Sequence, residues 1–136
     1  MQKRGQASVE YLILVGVMLA FIIPIFYYSL TEISNSLRIN QAESAVNLIA
    51  GKIDNVYTLG SGNRETVKIT LPKGTVSLGI IENKSIELKL LIFGNQTENF
   101  KNTKANNIIG SFPIEPGVYH LQIEGLDNGD VKVYAK

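Results

Sequence analysis

The pattern of hydrophobic and polar positions divides the chain into three stretches. Residues 11–30 form an apolar run that contains no charged residue. Residues 30–59 have apolar positions spaced mostly by three or four, and the residues after Gly62 alternate with a period of two. These patterns predict, in order, a helix that is apolar on all sides, an amphipathic helix and a set of β-strands.

The apolar run is long enough to cross a membrane. Its 20 residues would extend about 30 Å as a helix, which matches the hydrocarbon thickness of a bilayer. Lys3 and Arg4 precede the run, and this excess of basic charge predicts a cytoplasmic N-terminus with the remainder of the chain outside. We expect Pro24 to bend the helix without breaking it.

The amphipathic stretch continues the same helix. Gly60 and Gly62 supply stop signals, so the sequence predicts one helix from about Ala7 to Leu59. We expect the following strands to pack on its apolar stripe, because so small a β-domain has a limited core of its own. The stripe consists of Leu30, Ile33, Leu37, Ala42, Ala45, Val46, Ile49, Ile53 and Val56.

The alternating region predicts five or six antiparallel strands. Residues 94–110 are rich in Asn and Lys and have few apolar positions, which predicts a surface loop or a poorly formed edge strand. The predicted fold is α+β, a lollipop in which a helix over residues 6–59 precedes a small antiparallel β-sheet domain at residues 60–136. The predicted turns lie at Pro72-Lys73-Gly74, Glu82-Asn83-Lys84, Pro116-Gly117 and Asp127-Asn128-Gly129.

Composition narrows the classes of function. The formal net charge is only +1, and no basic run could follow a phosphate backbone, so we expect no nucleic-acid partner. The chain contains no cysteine, and its one histidine, His120, shares a predicted strand face with Gln122 and Glu124. We therefore predict no catalytic residue, metal site or cofactor, and we expect the protein not to be an enzyme.

The residues that indicate a function lie at the start of the chain. Lys3 and Arg4 form a short basic leader that ends at Gly5, and Gln6-Ala7-Ser8-Val9-Glu10-Tyr11-Leu12 leads into the apolar run. This sequence resembles the class III signal peptide of archaeal type IV pilin precursors, in which Gln-x-Ser-x-Glu-Tyr-Leu follows the processing glycine. The resemblance is specific over the first 30 residues and only architectural over the β-domain.

The resemblance implies a maturation route. A prepilin peptidase would cleave between Gly5 and Gln6 on the cytoplasmic side of the membrane, which removes residues 1–5 as a leader. The apolar helix stays attached, whereas an ordinary secretory signal is removed with its apolar region. Mature copies would then leave the membrane through a pilus assembly platform and polymerise into an extracellular filament that serves surface adhesion.

Glu10 would be the fifth residue of the mature chain, where type IV pilins carry a glutamate. A carboxylate at the edge of an apolar segment is costly unless it is paired, and a new α-amino group with a pKa of about 7.7–8.0 is mostly charged at neutral pH. The resemblance implies that Glu10 pairs with the Gln6 amine of an adjacent subunit and thereby fixes the register of assembly.

Two further predictions concern the part of the chain outside the membrane. Asn83 and Asn95 each begin an Asn-x-Ser/Thr pattern in a predicted turn or loop, and we expect glycosylation of at least one of them. Two alternatives to a filament subunit stay open at this point. The chain could be a minor pilin-like subunit that primes or caps a filament, or a monomeric extracellular binding module that uses the helix only as a membrane anchor.

Overall fold

The computed structural model describes residues 2–136, with side chains described from Gly5 onward. In this part of the chain one long helix is followed by seven strands in two sheets. The predicted α+β fold, with an apolar N-terminal helix followed by a small and mainly antiparallel β-domain, is confirmed. The chain divides into two compact units, Met1–Ser36 and Leu37–Lys136.

Helix α1 runs from Gln2 to Leu59 and therefore begins earlier than the predicted start near Ala7. Pro24 lies inside α1, and the helix continues through it as predicted. The helix ends because Gly60 adopts a left-handed backbone conformation with a φ of 90°, which glycine enters without a steric penalty. The Asn63 Nδ2 group caps the end by donating to the carbonyl oxygens of Leu59 (2.9 Å) and Gly60 (3.2 Å).

The apolar stripe of α1 is buried over only part of its predicted length. Its buried members are Ala42, Ala45, Val46, Ile49, Ile53 and Val56. By contrast, Leu30, Ile33 and Leu37 are 63%, 54% and 55% exposed, so the stripe is buried from Ala42 onward and exposed at its start. The buried part belongs to the unit Leu37–Lys136 and shares its core with the strands, as expected.

The strands form two separate sheets. One has the order β1-β6-β7-β5 and the other the order β2-β3-β4. Neighbouring strands are antiparallel except for β5 and β7, which run parallel. The strands are β1 (Arg64–Leu71), β2 (Thr75–Ile81), β3 (Ser85–Ile92), β4 (Asn95–Asn102), β5 (Ile108–Gly110), β6 (Gly117–Gly125) and β7 (Val131–Ala135).

The number of strands differs from the prediction because residues 94–110, predicted as a surface loop or a poorly formed edge strand, contain two strands, β4 and β5, each at the edge of its sheet. Phe93 and Gly94 both have positive φ values, 49° and 77°, and make a two-residue turn that directs β4 back along β3. The strand β4 pairs with β3 over its full length, from Asn95 opposite Ile92 to Asn102 opposite Ser85. Backbone hydrogen bonds to β3 thus hold β4 in place, although the side chains of β4 do not alternate between apolar and polar.

The core combines the α1 stripe with the inward faces of both sheets. Most of the apolar positions that alternate with a period of two after Gly62 are buried, among them Ile69, Leu88 and Ile123. Val76 is an exception at 47% exposure, because the β2–β3 register shifts between Thr75 and Ser77 and turns this side chain outward. The predicted turns before β2, β3 and β7 lie where the sequence places them.

Candidate processing and assembly segment

The predicted cleavage site lies near the start of α1. Gly5 and Gln6 are both helical and exposed, and a Cβ atom added to Gly5 would meet no heavy atom within 4 Å. The first N–H groups of a helix have no intrahelical partner, so the first turn of α1 opens at a lower cost than its interior. A protease that requires an extended substrate can therefore reach this peptide bond after local unwinding.

Glu10 follows Gln6 by four residues, so the two side chains lie on one face of the helix and about 6 Å apart along its axis. Glu10 is exposed. Among the side chains that are described, no cationic group lies within 4.0 Å of its carboxylate. A new amino group at Gln6, in the same chain or in a second copy, could thus approach Glu10 without displacing an existing ion pair.

The apolar run beyond Glu10 is uncovered. Every residue from Gly5 to Leu30 is exposed, with Tyr11, Phe21 and Ile25 at 73%, 70% and 67%. A helix in the core of a water-soluble domain would be mostly buried, whereas none of the most apolar window of α1 is. By length and composition, α1 therefore contains one segment that could cross a membrane.

The two glycosylation candidates differ in their backbone setting. Asn83 lies in the turn between β2 and β3 with a φ of 58°, and its carbonyl accepts a hydrogen bond of 2.8 Å from the Ile108 N–H. Asn95 is the first residue of β4, so the prediction that it lies in a loop is wrong. Both asparagines are exposed. Glycosylation of either residue stays a prediction.

His120 lies on β6 and is exposed, as the sequence pattern indicates. In the part of the chain that the structure describes, no three His, Asp or Glu side chains are grouped closely enough to share a metal ion. Across the β1–β6 pair, His120 stands opposite Lys68, a neighbour that the sequence pattern does not predict. No local motif marks this pair, because the two residues lie on different strands.

Comparison with models of known protein families, with curated proteins and with solved structures finds no match for this chain.

Proposed function

We propose that this chain is the precursor of an archaeal type IV pilin, a structural subunit that a prepilin peptidase processes and that then polymerises through α1 into a surface filament. The observation that carries the proposal is the exposed apolar segment of α1, with the Gln-x-Ser-x-Glu-Tyr-Leu motif at its start. The motif assigns the processing site, and the exposed segment supplies the surface for assembly.

The energetics of the exposed segment favour a covered state. Burying one large apolar side chain contributes about 1.5–3 kcal/mol. The segment between Tyr11 and Leu30 exposes more than a dozen such side chains, so the gain from covering it is on the order of tens of kcal/mol. Lipid covers the segment in the membrane, and other copies of α1 would cover it in a filament.

Glu10 would select the register of that filament. Apolar helices pack through contacts that tolerate axial slippage, whereas an ion pair forms only where a specific carboxylate meets a specific amine. Cleavage before Gln6 creates such an amine one helical turn from Glu10. The proposal therefore links processing to assembly, because the uncleaved chain lacks this amine.

The proposal is tested first at Gly5. The variant Gly5→Val should accumulate as a membrane-retained precursor, because a branched side chain beside the scissile bond obstructs the extended backbone that the peptidase binds. The control is Gly16→Val in the same helix. An added Cβ meets no heavy atom within 4 Å at either glycine, so neither substitution should disturb the folded monomer.

N-terminal sequencing of the native protein and of both variants measures the outcome. The native protein and Gly16→Val should begin at Gln6, and Gly5→Val should retain its leader. A mature Gly5→Val chain that begins at Gln6 would contradict the assigned leader. If the native protein keeps its leader, the result favours the monomeric membrane-anchored module. If the chain is processed but forms only a trace component of purified filaments, the result favours a minor subunit.

A further inference from the structure

The sheet β1-β6-β7-β5 has one face in the core and one face in solvent. Alternation along the strands places four formally basic side chains, one histidine and one glutamate on the solvent side. We refer to these six residues as the basic face. They are Arg64, Lys68, His120, Glu124, Lys132 and Lys136.

Strand register brings three of these residues into one row. Lys68 pairs with His120 across β1 and β6. On the other side of β6, the Lys136 N–H donates to the His120 carbonyl oxygen at 3.0 Å, which continues the β6–β7 pairing by one residue. Neighbouring strands are about 4.8 Å apart, so the three side chains project side by side over about 10 Å.

Most of this positive charge is not neutralised within the chain. Glu124 pairs with Arg64 at 2.6 Å. In the described part of the chain, no carboxylate lies within 4.0 Å of Lys68, Lys132 or Lys136. On the other sheet, by contrast, Lys89 contacts two glutamates, and its hydrogen bond with Glu98 raises the pKa of this lysine.

The charge is distributed unevenly over the molecule. Four basic side chains and one acidic side chain give the basic face a formal charge of +3, with His120 counted as neutral. Residues 5–136 contain eleven basic and twelve acidic residues, because only Lys3 and Arg4 of the 13 basic residues precede them. The remaining surface of these residues is therefore net negative, and an anionic ligand is attracted to the basic face.

Neutral polar groups accompany the cations. Thr66, Gln122 and Tyr134 form a row between Lys68 and Arg64 on the same face. Beside β1, Lys68 and Thr70 line an open cleft of about 290 Å³ with residues of α1, of which Asn40, Gln41 and Ser44 are polar and Leu37, Ala45 and Leu48 are apolar. Hydroxyl and amide groups both donate and accept hydrogen bonds, which suits a ligand rich in hydroxyl groups.

We propose that the basic face, with the adjoining cleft, binds an acidic polysaccharide whose carboxylates contact Lys68, Lys132 and Lys136. A nucleic acid fits less well, since binding of single strands relies on aromatic stacking platforms. The face offers two aromatic rings, those of Tyr134 and His120, and the Lys132 ammonium already lies 5.6 Å from the centroid of the Tyr134 ring. The inference extends the adhesive role named above and does not require polymerisation.

The test uses the full-length protein in nonionic detergent micelles and three immobilised probes, namely polygalacturonate, neutral dextran and single-stranded DNA. The face variant carries Lys68→Gln, Lys132→Gln and Lys136→Gln. The control variant carries Lys73→Gln, Lys84→Gln and Lys101→Gln, three exposed lysines outside this face. Both variants lose the same formal charge, so a difference between them reports position rather than net charge.

We expect the wild type and the control variant to bind polygalacturonate and not dextran, and the face variant to bind it about tenfold more weakly at low salt. Binding of the wild type should weaken as salt rises, because exposed charges are screened.

Equal loss of binding in both triple variants, or no binding by the wild type, would overturn the inference. Tighter wild-type binding to the DNA than to polygalacturonate, lost in the face variant, would overturn it in favour of a nucleic-acid ligand. Filament formation is measured separately, so this result is independent of the assembly proposal.

Discussion

Two neighbouring positions of α1 test whether its second half is part of the β-domain core. Ile49 is fully buried against the strands, while Leu48 is 47% exposed on the adjacent side of the helix. Ile49→Ala and Leu48→Ala remove similar numbers of carbon atoms from consecutive residues. Alanine has a higher helix propensity than either residue, and the propensities of Ile and Leu differ by less than about 0.7 kcal/mol, so a larger loss of stability at Ile49 reports burial in the core.

The expected magnitude follows from these exposures. Replacing a fully buried Ile by Ala costs about 2–5 kcal/mol of stability, because the protein loses the transfer free energy of the removed groups and is further destabilised by the cavity that they leave. Leu48 retains about half of its exposure in the folded state, so its truncation should cost about 1 kcal/mol or less. The unit Leu37–Lys136 is of a size for which each kcal/mol shifts Tm by about 4–8 °C. Ile49→Ala should then lower Tm by at least about 8 °C and Leu48→Ala by no more than about 8 °C.

Thermal unfolding of the full-length chain in detergent micelles, followed by near-UV circular dichroism of its six tyrosines, measures both shifts. Concentration and detergent must be held constant, since self-association would raise Tm. Equal Tm values for the two variants, or a shift below about 8 °C for Ile49→Ala, would show that the helix contributes little to the core and would refute the reasoning.

Two other predictions address assembly and modification. Glu10→Val should give normal amounts of processed subunit in the membrane but few filaments in electron micrographs of sheared surface fractions. Removing a carboxylate from an apolar helix eases insertion, and under the proposal it also removes the contact that would set the register of assembly. Abundant wild-type-like filaments from this variant would remove Glu10 from the mechanism. If Asn83 or Asn95 carries a glycan, the intact mass of the native protein should exceed that of the mature chain and should fall on Asn→Gln substitution at the modified residue. A native mass equal to the unmodified chain would refute glycosylation under those growth conditions.

The parts of the fold that the sequence predicted are those in which one face is buried and the other is not. The period of three and four residues between Ala42 and Val56 and the period of two in β1, β3 and β6 each reflect packing on a common core. The end of α1 was also predictable, because Gly60 occupies a position that requires a left-handed backbone.

The parts that were missed or left undecided lack this signal. Apart from Phe100, the side chains of β4 are polar, and the strand is held by backbone pairing with β3. It leaves no apolar alternation in the sequence, so the sequence alone did not decide between a surface loop and an edge strand. The strand β5 has only three residues, and its parallel pairing with β7 depends on a partner more than twenty residues away. Hydrophobic periodicity reports burial, and it cannot report hydrogen bonding between segments distant in sequence.

The candidate sites differ in the same way. The processing and assembly segment is a contiguous motif, so its residues are found by reading the chain, and the structure adds their exposure. The basic face is assembled from three strands by sheet register. Lys68, His120 and Lys136 are far apart in sequence. The formal net charge of +1 also hides the cluster, because acidic residues elsewhere in the chain balance its positive charge.

The exposed beginning of the α1 stripe bears on the choice between a filament subunit and a simple membrane anchor. A tether needs only the 20 apolar residues from Tyr11 to Leu30, which already match the hydrocarbon thickness. Ile33 and Leu37 continue the apolar spacing beyond that span, yet more than half of each remains exposed. In an anchor these side chains would face water or the membrane surface without a partner. In a bundle of α1 helices they would extend the helix contacts beyond the membrane-spanning length, and this difference favours assembly over anchoring.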